Sequence, residues 1–230
     1  MYSGVKMLKA VIFDFDGVVA DSELLHWRAF NEAFEPFGIK IDRQKYYDCY
    51  LGFSDVDGVR AIANDNGLDL DQSQLKKLLD SKEESFKLIA DHESCIIDGV
   101  AEFISMLKEN RIRMAVCSGA LKNEILMMLQ NTDFAEFFET IVAADDVTKG
   151  KPDPEPYLLT LERLNSSDNI TAAECIVIED SFWGLQAATA AGMHTIGVTN
   201  TYPAEKLAGY AEKVVKSLSG IEIEELCQIC

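Results

Sequence analysis

A mostly apolar stretch, Leu8–Phe13, closes on two aspartates one residue apart, Asp14 and Asp16, with Gly17 directly after. Such a stretch, bounded by acidic residues and lacking polar alternation, fits a strand buried on both faces near the centre of a helix-covered parallel sheet. An aspartate following that strand stands at the mouth of the sheet, where open α/β folds place their chemistry. If the strand continues, Asp14 and Asp16 project to one side, because side chains alternate. Two like charges held so close need a counter-ion. A hard divalent cation such as Mg²⁺ suits carboxylate oxygens and bridges readily to phosphate.

From Ser22 the period changes. Phe30, Ala33, Phe34 and Phe37 fall at helical spacing before Gly38; Asp42–Leu51 reads as a short helix; Ser54 can cap Val56, Val59, Ile62 and Ala63; Asp71 can cap Leu75, Leu78, Leu79, Phe86 and Ile89. After Asp98 and Gly99 strands and helices alternate to the end, which predicts a parallel sheet. The expected strands are Ile112–Cys117, Thr140–Ala143, Cys175–Ile178 and His194–Val198, with Val214 and Val215 at an edge. The expected helices are Val100–Leu107, Leu121–Leu129, Pro154–Leu164 and Ser181–Ala191. The chain thus reads as a doubly wound α/β domain, residues 1–20 and 93–230, interrupted by a helical domain at 21–92. That insertion is too long for a connecting loop. Because it begins directly after the paired aspartates, it is expected to act as a lid.

Net charge narrows the partners. At −18 over 230 residues, the surface repels nucleic acid and anionic lipid, so neither is expected to bind. Any phosphate site must be a local positive exception, built from metal, lysine and backbone N–H groups. The apolar run near the N-terminus is broken at once by aspartates and suits neither a signal peptide nor a membrane span, so a cytoplasmic monomer is expected. Of six scattered cysteines, only Cys227 and Cys230 have CxxC spacing, at what reads as a frayed end.

Four strand ends carry polar residues suited to phosphoryl transfer: Asp14 and Asp16; Ser118 and Gly119; Lys151 in the turn Thr148–Pro154; and Glu179, Asp180 and Ser181. Alone, each has an ordinary explanation, since serines cap helices, lysines near prolines sit in solvated loops, and Glu-Asp-Ser opens helices. At the carboxyl edge of one parallel sheet they would converge.

In this order the residues resemble the haloacid dehalogenase superfamily, in the subgroup of beta-phosphoglucomutase and small-molecule phosphatases. The first motif, DxDGxxxDS, spans Asp14–Ser22; the second is Ser118-Gly119; the third is Lys151-Pro152-Asp153-Pro154; the fourth is Glu179-Asp180-Ser181. The helical insertion resembles the family's small cap. The resemblance implies that Asp14 is the nucleophile, forming an aspartyl-phosphate, and that Asp16 protonates the leaving oxygen and then activates water. It implies Mg²⁺ held by Asp14, Asp180, the Asp16 carbonyl and Glu179, the last either directly or through water. Ser118 and the Gly119 amide would hold phosphate oxygens, with Lys151 neutralising charge. His26 lies where beta-phosphoglucomutase has a histidine near its cap and core junction, and could touch substrate. It could equally be an amphipathic-helix histidine packed beside Trp27.

The expected activity is Mg²⁺-dependent hydrolysis of a small phosphorylated metabolite such as a sugar phosphate. A sugar phosphomutase is the nearest alternative, using the same aspartyl-phosphate. Beta-phosphoglucomutase, however, grips its second phosphate with a cap-loop arginine, whereas the matching stretch Leu51–Asp55 offers Asp55, with Arg60 nearby. A non-enzymatic phospho-acceptor module would need neither the insertion nor Asp16. Dehalogenases of the superfamily lack the second aspartate present here.

Overall fold

Burial on both faces sets β1 (Ala10–Phe13) at the middle of the sheet, with every residue fully shielded. The computed structural model describes residues 7–51, 53–92, 95–165 and 169–230. After β1 come α1 (Ser22–Phe34), α2 (Arg43–Cys49), α3 (Asp55–Asp65), α4 (Gln72–His92), α5 (Val100–Glu109), β2 (Arg113–Cys117) and α6 (Lys122–Leu129). Then follow β3 (Phe138–Val142), α7 (Glu155–Leu164), β4 (Cys175–Glu179), α8 (Phe182–Ala190), β5 (His194–Val198), α9 (Ala204–Leu207), β6 (Lys213–Val215) and α10 (Ile223–Cys227). Among the described residues all strands run parallel in one six-stranded sheet of order β3-β2-β1-β4-β5-β6. The order reverses between β1 and β4, and the carboxyl ends at such a reversal form the binding crevice of doubly wound folds.

Alternation along β1 divides its packing between two faces. Ala10 and Ile12 join Tyr157 and Leu164 of α7 and Ala187 and Ala188 of α8 in one apolar cluster. Phe13 points the other way and meets Phe103 of α5 and Phe138 of β3 edge-on, at 6.0 and 5.7 Å between ring centroids. Burying a side chain of this size contributes about 2 kcal/mol, which ties helices on both faces to the strand that carries Asp14.

The chain divides into two units, Met1–Ala20 with Ile96–Cys230, and Asp21–Cys95. The second crossing, expected at residues 92–93, adjoins Glu93 and Ser94, which lie outside the described residues. Within the helical unit, Phe30, Phe34, Tyr46, Tyr50, Val59, Ile62 and Leu78 form the core. Asp42, Ser54 and Asp71 each accept a backbone N–H three residues on, at 3.2, 3.2 and 2.8 Å. Gln74 returns a side-chain acceptor to the Asp71 amide at 3.0 Å, closing a capping box.

β1 stops at Phe13, where the apolar stretch ends, and does not run on through the aspartates: the amides of Val18, Val19 and Ala20 all donate to the Phe15 carbonyl, coiling residues 15–20 into a tight loop. One expectation needs correction. The C-terminus is not frayed, because Leu226 of α10 is fully buried and Lys213 reaches Glu225 at 2.6 Å. The six cysteines are free thiols. No helix among the described residues is long and apolar enough to cross a membrane.

Candidate active site

Sheet register brings the sequence-predicted residues of the α/β unit together. Phe13 stands opposite Val116 of β2 and Ile178 of β4, so Asp14, one step on, is level with Cys117 and Glu179. The Asp14 amide extends the ladder by donating to the Ile178 carbonyl at 2.9 Å. Ser118 ends β2 in the same way, donating its amide to Val142 at 2.9 Å, and its hydroxyl accepts the Ala120 amide at 3.0 Å. Ser118 is buried, whereas Gly119 is exposed, with nothing within 4 Å of where a Cβ would stand.

Lys151, in the turn before α7, supplies the positive charge. Its ammonium donates to Asp14 Oδ1 at 2.6 Å, Glu179 Oε1 at 2.8 Å and the Cys117 carbonyl at 2.9 Å, which uses all three N–H bonds. Burial alone would lower the lysine pKa, but Asp14 and Glu179 overcome it and hold the group well above its usual range. Glu179 is fully satisfied by protein donors. Tyr157 OH is 3.3 Å from Oε1, and the Ser181 amide and hydroxyl reach Oε2 at 2.8 and 2.9 Å.

Asp180 accepts a hydrogen bond from the Thr201 hydroxyl. Gly17 is packed against it: with φ at +74°, a Cβ there would lie 1.8 Å from Asp180 Oδ2. Gly184 is equally confined, since its Cβ would fall 1.5 Å from Glu179 Oε1. Asn200 donates to the Gly17 carbonyl at 2.7 Å and holds the loop that follows β1. Asp16, half-buried within that loop, pairs in an isolated bridge with Ala20.

This arrangement concentrates negative charge. Oxygens of Asp14, Glu179 and Asp180 lie within 4.8 Å of one another, all three residues being buried. Burial first, with the neighbouring carboxylates adding to it, raises Asp14 well above the ordinary range despite Lys151. Burial and Glu179 push Asp180 up to about 7. Three buried carboxylates set against one ammonium, offering only oxygen donors, fit a hard divalent cation. Glu179, with both oxygens engaged, is the least free of the three to meet such a cation directly.

His26 belongs to the helical unit. Its ring stacks on Phe86 at 4.5 Å, and its Nδ1 is 2.7 Å from Lys82 Nζ, which also meets Asp55 Oδ1 at 2.6 Å. Burial, then Lys82, pushes the imidazole down to about 4. Its stacking partner is Phe86, while Trp27, its neighbour in sequence, donates to the Ile41 carbonyl at 2.9 Å. In the stretch Leu51–Asp55, Gly52 lies outside the described residues.

Sequence reasoning missed Tyr157, Gly184, Asn200 and Thr201. Asn200 and Thr201 lie two and three residues beyond β5, in a turn whose polar residues carry no motif of their own. Tyr157 and Gly184 lie inside helices, where nothing local distinguishes them.

Comparison with known proteins points the same way. Residues 11–198 match the model of the haloacid dehalogenase-like hydrolase family. A haloacid dehalogenase-like hydrolase domain-containing protein of Arabidopsis thaliana is 32% identical, over 96% of this chain and 78% of its own. A phosphorylated carbohydrates phosphatase of Thermotoga maritima is 32% identical, over 82% of this chain and 84% of its own. Among solved structures, CbbY from Rhodobacter sphaeroides in complex with phosphate superposes with a TM-score of 0.73 at 27% identity, covering 93% of this chain and 96% of that one.

Proposed function

Because the chain belongs to the haloacid dehalogenase-like hydrolase family, we propose that it hydrolyses a small phosphorylated metabolite, in particular a sugar phosphate, through an aspartyl-phosphate on Asp14. The observation that carries this reading is Lys151 held between Asp14 and Glu179 at the carboxyl edge of the sheet. A phosphoryl group arriving there meets a carboxylate oriented by an ammonium.

Asp14 attacks phosphorus through a carboxylate oxygen and expels the alcohol, which takes a proton from Asp16. Asp16 then removes a proton from the water that cleaves the acyl phosphate, releasing inorganic phosphate and restoring Asp14. Ser118 and the Gly119 amide hold phosphoryl oxygens, and Lys151 offsets the charge that develops on them. Asp14, Asp180 and the Asp16 carbonyl would hold Mg²⁺, with Glu179 assisting through water. When bound, the ion supplies the positive charge that lets a phosphate dianion enter an acidic site.

Hydrolysis is favoured over phosphate relay by Asp55. Its carboxylate commits Lys82 to an ion pair at 2.6 Å where a mutase would carry positive charge for a second phosphate. The deciding experiment screens phosphorylated metabolites with Mg²⁺, following phosphate release beside isomerisation of a hexose 1-phosphate. Turnover of a sugar phosphate, abolished in Asp14→Asn and by EDTA, is expected. Full activity in Asp14→Asn, or undiminished turnover in EDTA, overturns the mechanism.

A further inference from the structure

One face of α7 reaches the underside of the site. Tyr157 and Thr160, three residues apart and therefore neighbours on the helix surface, are both completely buried. Thr160 returns its hydroxyl to the Pro156 carbonyl at 2.8 Å, a contact local to the helix. Tyr157 does not: its hydroxyl lies 3.3 Å from Glu179 Oε1, and Lys151 Nζ stands 5.0 Å from its ring centroid. Burial raises the phenol well above its ordinary pKa, so it stays protonated and donates.

Packing explains the ring, which belongs to the apolar cluster formed with Ala10, Ile12 and Leu164. It does not explain the hydroxyl, since a phenylalanine would fill the same space without a polar group to bury. Glu179 Oε2 is taken by Ser181, and Gly184 walls in Oε1, so the carboxylate has a single orientation. In that orientation Oε1 receives both Tyr157 OH and Lys151 Nζ.

We propose that Tyr157 is a positioning residue of the phosphoryl-transfer site: its hydroxyl fixes Glu179, and its ring underlies the Lys151 ammonium, so that the ammonium meets Asp14. The inference rests on the phosphatase reading for its kinetic consequence, and on geometry alone for its structural one. Tyr157 acts through Glu179 and Lys151 and touches no reacting atom.

The test compares wild type and Tyr157→Phe, which keeps the ring. With p-nitrophenyl phosphate and Mg²⁺, kcat is expected to fall about ten-fold, as for loss of one hydrogen bond to a charged group. KM should stay nearly unchanged, and the thermal midpoint should fall by only the few degrees that one lost hydrogen bond costs, because the ring still packs. On a Lys151→Ala background, Tyr157→Phe should cause no further loss, since coupled residues are non-additive. A crystal structure of Tyr157→Phe should show Lys151 Nζ displaced from Asp14 Oδ1. An unmoved ammonium, or losses that multiply in the double variant, overturns the inference. Absence of wild-type turnover on any phosphate ester would count against the phosphatase reading alone, while the position of Lys151 in the variant would still decide the role of Tyr157.

Discussion

Lys151 Nζ is closer to Asp14 Oδ1, at 2.6 Å, than to either of its other two acceptors. The contact spans the sheet edge from the turn before α7 to the end of β1, and among the described residues it is the one ammonium contact to the proposed nucleophile. Substitution of Lys151 by alanine strands two buried carboxylates. Removing one partner of a buried pair costs about 3–5 kcal/mol, and loss of the charge that stabilises the transferring group should lower kcat by on the order of 10³. Lys151→Arg should not restore activity, because a planar fork cannot direct one nitrogen at three converging acceptors. Urea unfolding and phosphate-release assays check both statements; an alanine variant within a few-fold of wild type would contradict them.

Gly17 and Gly119 should respond oppositely to alanine. At Gly17 the backbone has φ of +74° and the new methyl would overlap Asp180 Oδ2. Gly17→Ala is therefore expected to lose about 1–3 kcal/mol and to weaken binding of Mg²⁺ measured by calorimetry. At Gly119 the Cβ position is open, and stability should stay within about 0.5 kcal/mol of wild type. Equal losses in the two variants would show that the confinement of Asp180 has no energetic consequence.

The acidic cluster gives stability a pH signature that depends on the cation. Asp14 and Asp180 have folded-state pKa values above their unfolded ones, about 7 for Asp180. In metal-free protein they bind more protons folded than unfolded, so their contribution is present at low pH and is lost as pH rises toward about 7. A bound cation reverses that repulsion. The rise in thermal midpoint caused by Mg²⁺ should accordingly be larger near pH 8 than near pH 5. Scans with Mg²⁺ and with EDTA across that range measure it, and an equal rise at both ends would place the cation elsewhere.

His26 has the opposite sign. Its folded pKa of about 4 lies below the ordinary histidine value of about 6.5, so the unfolded chain binds the extra proton between them. The contribution is present above about 6.5 and is lost as pH falls toward about 4. Up to about 3 kcal/mol is at stake. In EDTA, urea unfolding of wild type and His26→Gln should diverge most near pH 7 and converge near pH 4. Parallel curves would mean that the imidazole titrates normally against Phe86 and Lys82.

Much of this was legible from residue pattern. Leu8–Phe13 gave a buried strand because its hydrophobicity does not alternate, and Asp42, Ser54 and Asp71 gave helix starts because a cap is a local hydrogen bond. The loop at Phe15–Ala20 was not legible. Val18, Val19 and Ala20 suit a strand, and only the three amides gathered on the Phe15 carbonyl turn the chain. α9 and α10 are too short to show a period. Among site residues, Asp14, Ser118, Glu179 and Asp180 were legible because they stand at the ends of apolar strands. Tyr157 and Thr201 were not, because their partners, Glu179 and Asp180, are joined to them by tertiary folding and by no sequence spacing.

Pairing β1 with both β2 and β4 also sets when the site can exist. In chain order Asp14 is made well before its partners across the sheet. The strand that supplies Glu179 and Asp180 emerges only after the helical unit, two further strands and α7. Until then one edge of β1 has no neighbour, and an apolar strand waits exposed, the kind of surface on which nascent chains misassociate. Competence for chemistry thus arrives in a single late event, when β4 slots beside β1. A chain cut short before that strand would carry Asp14 and yet possess no site.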